Sequence, residues 1–249
     1  MKRLVFLGLL LLSLPLAGHA AATRTLEGDA ATQGVTRLVL HAGVGEMKVT
    51  ASPDDSVHVR VELEEKSRSF LWFFHWHSDA TRQELEHISL KQQREGDSLS
   101  FRLDYPGDLD DDDVKQHWNV QVPARLAVGI DMKVGELKLS GVAGGVEASL
   151  NVGEIDVRTP RGPIKATINV GEIRARSATT QPGNIRLSTT IGDATLYQSG
   201  AGGQEQLRHS GLGREVSVSG TGPDSMDLES NIGEVSLRIE PVQSDAKKP

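Results

Sequence analysis

Apolar and polar residues alternate along much of the chain, with the period of a β-strand in which every second side chain faces the core. Four segments show this pattern over four consecutive inward positions. They are 146–152, 164–170, 185–191 and 226–232. The pattern predicts an all-β protein whose strands are each buried on one face.

Each of these strands belongs to an internal repeat of an aliphatic residue, a glycine, an acidic residue and another apolar residue. The glycines are Gly45, Gly135, Gly153, Gly171, Gly192, Gly213 and Gly233, and the copy at Gly213 is degenerate. Val152 is expected to face inward, and the next inward residue is Ile155. A phase slip at a glycine indicates a bend or bulge, so we interpret these glycines as structural corners.

A unit of about 20 residues cannot bury its apolar face alone and must stack on its neighbours. The repeat predicts a parallel β-helix or β-roll-like solenoid with a thin aliphatic core. A globular β-sandwich is the alternative, but it does not require the same motif in the same phase in successive units. We therefore favour the solenoid.

The region 35–125 is less regular than the rest of the chain. Residues 36–49 resemble one complete unit, and alternating segments then flank a Gly96-Asp97 turn signal. We expect antiparallel strands inserted near the N-terminus, which also cap that end of the stack. The predicted organisation is a single domain at 23–240, with regular repeats at 126–240 and a disordered tail at 241–249.

The first 22 residues have the pattern of a secretory signal peptide. Lys2 and Arg3 precede the apolar run 4–14, and small residues follow. No second apolar run approaches the length of a membrane span, so the exported chain is expected to have no transmembrane segment. The prediction is a periplasmic, cell-surface or secreted protein.

Composition narrows the possible functions. The chain has no cysteine, which excludes disulfides, thiolate metal sites and a cysteine nucleophile. Its formal charge of −7 would become −9 on loss of Lys2 and Arg3 with the leader. A negative chain without clustered basic residues is a poor nucleic-acid binder, so no nucleic-acid partner is expected.

An acidic residue follows most of the corner glycines. In stacked units these form a column, predicted to consist of Glu136, Glu154, Glu172, Asp193 and Glu234. Neighbouring strands lie about 4.8 Å apart, so such carboxylates repel unless they are neutralised. They either hydrogen-bond locally at the corners or form a cation-facing surface. Asn151, Asn169 and Asn231 are expected to form a hydrogen-bonded ladder beside them.

Five aromatic residues lie within eight positions. They are Phe70, Trp72, Phe73, Phe74 and Trp76. A thin coil core cannot hold them all, so they either cap the stack or form an exposed patch that contacts an envelope protein, a glycan or a membrane interface.

Signals for metals and catalysis are weak. His75 and His77 would share a face if their segment is a strand, and with Asp79 or His87 they could bind a metal, but a pair of histidines is weak evidence for such a site. The acidic run 108–113 lacks the spacing of an EF-hand, so a solvated loop is expected there. No phosphate loop, nucleophile elbow or zinc-protease motif is present. We expect no cofactor, no metal, no catalytic residue and no enzyme, with a glycan-active β-helix enzyme as the least favoured alternative.

The repeated [Val/Ile]-Gly-[Glu/Asp]-[Ile/Val/Leu] corners, the Val-Pro-Ala-Arg-Leu segment at 122–126 and the spaced Ser-Gly-Val and Thr-Pro-Arg-Gly turns resemble the DUF4097 family. The resemblance covers about 35–240, and that family carries the provisional label of adhesin. It implies an exported envelope protein with stacked β-coils and no agreed catalytic residues. The function expected is a non-enzymatic binding or structural module, with an envelope-stress sensor that contacts a membrane protein as the alternative.

Overall fold

The computed structural model describes residues 23–65, 82–107, 109–199, 205–210 and 215–240. Within these ranges the chain is almost entirely β, and one four-residue helix is present. The elements are β1 (Thr23–Ala31), β2 (Arg37–Ala51), β3 (Ser56–Glu65), α1 (Arg82–Leu85), β4 (Ser89–Glu95), β5 (Ser98–Asp104), β6 (Val114–Val122), β7 (Ala127–Ser140), β8 (Val146–Thr159), β9 (Ile164–Ser177), β10 (Pro182–Ile191), β11 (Ala194–Ser199), β12 (Glu205–Ser210), β13 (Glu215–Val218) and β14 (Asp224–Ile239). The described part contains no helix long and apolar enough to cross a membrane.

The fourteen strands described form one large, mostly parallel sheet. The predicted all-β class is therefore confirmed. At the centre of the sheet, β2, β7, β8, β9 and β14 are parallel neighbours, and their corner glycines lie at equal register. β10 and β11 together make one further unit, because both pair with β14, on either side of the corner at Gly192.

The order of the units in space differs from their order in sequence. β14, the last strand, lies between β9 and β10. The expectation that each unit stacks on its neighbour in sequence is wrong at this point. Repeats with nearly the same apolar pattern pair equally well with one another, so local sequence does not decide the order.

Antiparallel strands cover both ends of the parallel stack. At one end β5 and β6 pair in parallel with the two halves of β2, and then β4 pairs antiparallel with β5 and β3 antiparallel with β6. At the other end β13 pairs with β10 and β12 with β11. The inserted antiparallel strands expected near the N-terminus are present, and the chain has an equivalent arrangement at the far end. Such strands remove the exposed edges of the parallel stack.

Each long strand consists of two arms that meet at its corner glycine. In β8 the side chains of Ala148 and Leu150 are buried before the corner, and those of Ile155 and Val157 are buried after it. All four belong to one hydrophobic core made mainly of Val, Ile, Leu and Ala. Full burial of one such aliphatic side chain stabilises the fold by about 1.5–3 kcal/mol. Because each strand contributes the same few side chains, the core consists of thin, repeated layers.

The corner changes the strand phase one residue earlier than the sequence pattern predicts. Val152 is 38 % exposed, and Leu150 is the last buried residue before Ile155. The expectation that Val152 faces inward is therefore wrong, and it is wrong in the same way for Val170, Ile191 and Ile232. The bend starts before the glycine, and the residues on both sides of it lie on the convex face.

Candidate functional site: the corner surface

The corner glycines are required by geometry. All six in the described residues have φ between 137° and 145°, a region that residues with a side chain rarely adopt. At Gly153 an added Cβ would lie 1.8 Å from the carbonyl oxygen of Gly135 on the neighbouring strand. Gly213, the remaining predicted corner, lies outside the described residues.

An exposed apolar row runs along the convex side of the corner, perpendicular to the strands. Its members, in spatial order, are Val134, Val152, Val170, Ile232 and Ile191, with exposed fractions of 37, 38, 38, 47 and 53 %. Five strands at a spacing of about 4.8 Å make this row about 19 Å long. These are the exposed large hydrophobic residues of the described part of the chain.

An acidic row runs parallel to the apolar row, two residues further along each strand. The strand register places Glu46, Glu136, Glu154, Glu172 and Glu234 side by side. Asp193 lies beyond Glu234, because the flanking pairs Ile191–Ile232 and Ala194–Val235 align the two positions. The five predicted carboxylates therefore share one row, in which Glu234 and Asp193 have exchanged their expected places.

Basic side chains neutralise part of the acidic row. Lys138 Nζ lies 2.6 Å from Glu136 Oε1, and this hydrogen bond raises the pKa of Lys138. Arg174 lies between two acidic neighbours, donating to Glu154 at 3.2 Å and also to Glu172. Some carboxylates of the row are thus paired with basic side chains, but the row as a whole stays acidic and would attract cationic groups.

An asparagine row borders the apolar row on the other side. Asn169 Nδ2 donates to Asn151 Oδ1 at 3.2 Å, and Asn231 Nδ2 donates to Asn169 Oδ1 at 2.7 Å. The predicted ladder is confirmed. Lys133 takes the equivalent position on β7 and pairs with Asp111 at 2.5 Å instead. We call the apolar, acidic and asparagine rows together the corner surface.

The acidic loop lies next to this surface. Carboxylate oxygens of Asp110, Asp111 and Asp112 lie within 4.8 Å of one another, the one such triple of potential metal ligands among the described residues. Lys133 lies 2.5 Å from Asp111 and 3.3 Å from Asp112, and these contacts raise its pKa. The lysine thus supplies a positive charge to the loop.

A cleft of about 500 Å³ opens between this loop and the strand β5. It is lined by charged and aromatic side chains that include Arg102, Asp104, Tyr105, Asp110 and Asp111. Burial, and then the nearby aspartates, raise the pKa of Tyr105. Asp111 is paired with Lys133, and Tyr105 accepts a hydrogen bond from Gln116 at 2.9 Å. The arrangement binds the loop to the strands behind it.

Gln116 is a buried polar centre that the sequence pattern did not reveal. Its side-chain oxygen accepts from Trp118 Nε1 at 2.9 Å and from the backbone N–H of Gly43 at 3.2 Å. It is 1 % exposed and sits in an inward position where the alternation predicts an apolar residue. The sequence signal for it is a glutamine at an inward position of β6, between the apolar inward residues Val114 and Trp118.

Several predicted features lie outside the described residues. These are the aromatic segment with Phe70, Trp72, Phe73, Phe74 and Trp76, the pair His75 and His77, and the leader at 1–22. The tail at 241–249 does so too. Their roles stay predictions.

Comparison with known proteins supports the fold. No family model matches the chain, and no curated protein matches its sequence. A crystal structure of a protein from Clostridium sporogenes ATCC 15579, provisionally named a cell adhesion protein, is similar with a TM-score of 0.54 and 12 % identity, over 88 % of this chain and 100 % of the other. This likeness shows a shared fold alone.

Two further structures have lower scores. A provisionally named adhesin from Bacteroides fragilis NCTC 9343 gives a TM-score of 0.29 with 11 % identity, over 86 % of this chain and 97 % of the other. One from Parabacteroides distasonis ATCC 8503 gives 0.26 with 11 % identity, over 86 % and 96 %. Scores this low carry no argument about this chain.

Proposed function

We propose that this protein is an exported, non-enzymatic binding module of the bacterial cell envelope, of the adhesin type. The observation that carries the proposal is the exposed apolar row at the corner surface. These side chains lie outside the hydrophobic core, and threonine would suit the strand equally well. Their alignment over five strands is typical of a contact surface.

The partner is a protein segment that presents aliphatic and basic side chains together. Aliphatic groups would cover the row from Val134 to Ile191, and basic groups would face the acidic row beside it. Electrostatic complementarity of this kind gives an interface its orientation and speeds association. A chain of net charge −7 favours a basic partner for the same reason.

The finer fold assignment is part of the same proposal. We interpret each pair of arms as one coil of a β-solenoid, related to the DUF4097 family, because equal register and a common core are what stacked coils produce. A solenoid presents the same residue position at a fixed spacing, which suits it to extended ligands. The signal-like leader and the adhesion-related name of the similar Clostridium protein support export to the envelope.

The test is a crosslinking pull-down of the exported protein from its own envelope. The double variant V152T/V170T keeps strand propensity and shape, and we expect it to lose the partner captured by the native protein while keeping its melting temperature within a few degrees. The matched control is V39T, which makes the same change at a half-buried position on the outer side of β2. Equal capture by V152T/V170T and the native protein would refute the corner surface as the contact.

The aromatic segment supplies a separate arm of this experiment. We predict that W72A/W76A also weakens capture if that segment is a second contact with an envelope protein or glycan. Loss of capture with W72A/W76A and full retention with V152T/V170T would move the binding site away from the corner surface.

A further inference from the structure

A row of three arginines crosses the outer face of the second arms, further along the strands than the acidic row of the corner surface. Arg158 on β8 is the register partner of Arg176 on β9, and Arg176 is the partner of Arg238 on β14. Neighbouring members therefore lie on strands about 4.8 Å apart. We call these three residues the arginine row.

Arg176, at the centre of the row, has no ionic or hydrogen-bond partner among the residues that the structure describes. Arg158 pairs with Asp156 at 2.7 Å, and Arg238 pairs with Glu240 at 3.0 Å, in each case with an acidic residue two positions away in the sequence. The residue two positions before Arg176 is Arg174, whose guanidinium contacts Glu154 and Glu172. Arg176 is exposed, and it has an arginine on each neighbouring strand.

The first arms carry a different arrangement of charge. On their outer face Glu147, Lys165, Asp227 and Arg186 are successive register partners. Their signs alternate, and Arg37 closes one end by donating to Glu147 at 2.8 Å. Like charges directly opposite one another destabilise a sheet, and unlike charges stabilise it. The arginine row departs from that arrangement although it lies on the same strands β8, β9 and β14.

The row ends at an aromatic ring. Tyr197 on β11 is the register partner of Arg238, and the Cζ atom of Arg238 lies 4.6 Å from the centroid of the tyrosine ring. This is a cation–π contact, in which the guanidinium lies over the ring. Three guanidiniums and a tyrosine thus form one narrow line.

We propose that the arginine row binds an acidic polysaccharide, whose carboxylate or sulfate groups lie along the line of guanidiniums. Arginine presents a planar fork of donors that matches such oxyanions. The acidic row lies on the same face, four residues back along each strand or about 13 Å away. It repels a broad anionic surface such as a membrane or a nucleic-acid duplex, but it leaves room for a single narrow chain.

The test measures binding of the full exported chain to polygalacturonate and to dextran sulfate, with uncharged dextran as the blank. We expect both charged polymers to bind and the uncharged one not to bind. The variant R158S/R176S should weaken binding at least tenfold and flatten the dependence of log affinity on log salt by about 1–2 units. Anionic phospholipid vesicles and a single-stranded oligonucleotide are expected to bind at least tenfold more weakly than the polysaccharides.

The matched control is R102S, which removes an exposed arginine of β5 at the other end of the sheet. It makes the same change in charge per site and should bind the polymers within twofold of the native protein. R176S alone should melt no lower than the native protein, because it removes a like-charged neighbour, so its loss of binding cannot come from unfolding. The proposal would be overturned by any of three results. These are native affinity in R158S/R176S, an equal loss of affinity in R102S, and tighter binding of the vesicles or the oligonucleotide than of the polysaccharides. V152T/V170T should leave polysaccharide binding unchanged. The proposal for the arginine row and the proposal for the corner surface can therefore fail independently of each other.

Discussion

Gly153 and Gly135 approach each other so closely that the carbonyl oxygen of Gly135 occupies the place of a side chain on Gly153. An added Cβ would lie 1.8 Å from that oxygen, and the φ angle of 139° is itself unfavourable for alanine. The contact is backbone against backbone, so no side chain can move aside to relieve it.

We therefore expect Gly153→Ala to lower the free energy of unfolding by about 4 kcal/mol or more, measured by chemical denaturation. Gly96→Ala is the control. It places alanine at φ 61° in the turn between β4 and β5, with nothing within 4 Å of the new Cβ, and should cost about 1–2 kcal/mol. Equal costs at the two positions would contradict the role of close approach.

Gln116→Leu tests the buried polar centre behind the cleft. The substitution leaves the indole N–H of Trp118 and the backbone N–H of Gly43 without their acceptor. Two orphaned buried donors should cost about 3 kcal/mol in denaturant unfolding. Gln121→Leu, on the exposed side of the same strand, should cost less than about 1 kcal/mol. A Gln116→Leu protein as stable as the native one would show that these hydrogen bonds contribute nothing.

We expect the attachment of the edge strand β1 to depend on pH through His58. Its ring nitrogens contact Asp29 on β1 at 2.6 Å and Asp54 at 3.2 Å, and these hydrogen bonds raise the pKa of His58 above 6.5. Because the folded pKa is the higher one, the stabilisation is complete below about pH 6.5 and is lost as pH rises through the folded pKa.

The expected result is slower hydrogen exchange in β1 at pH 5.5 than in the His58→Gln variant, after correction for intrinsic exchange rates. The difference should disappear by pH 9 and shrink in high salt, because both aspartates are exposed. His41→Gln serves as a control for loss of a histidine elsewhere. If the difference in exchange between the native protein and His58→Gln instead grew with pH, protonated His58 would not be the group that stabilises β1.

A cation-facing acidic row predicts a response to calcium. Millimolar CaCl₂ should raise the melting temperature of the native protein, and E154Q/E172Q should abolish the rise. D110N/D112N tests the acidic loop separately, since carboxylate oxygens of Asp110, Asp111 and Asp112 lie within 4.8 Å of one another. No shift in the native protein at millimolar Ca²⁺ would reject the cation hypothesis, and a shift abolished by D110N/D112N alone would assign the ion to the loop.

The sequence pattern predicts the strands and their corners well because both depend on local signals. Alternation identifies the buried sides of residues such as Leu150 and Ile168, and the glycine spacing identifies where each strand bends. The exposure of Val152 could not be predicted in the same way. The alternation of apolar and polar residues assigns Val152 to the buried side of the strand. Only the bend in the structure shows that the convex side begins at this residue.

Two other features depend on contacts distant in sequence. Glu234 lies next to Glu172 because β14 enters the stack before β10, which no local pattern records. Arg176 reads as one basic residue among many until its register with Arg158 and Arg238 is known. Rows that cross the strands are invisible to any single segment of the chain.

The position of β14 ties two parts of the stack together. In an array in which each repeat pairs only with the one before it, loss of the final repeat leaves the others in contact. Here β14 pairs with β9 on one side and with β10 and β11 on the other. Among the described strands it is the only link between β9 and β10, so its removal would detach β10 to β13 from the rest of the sheet.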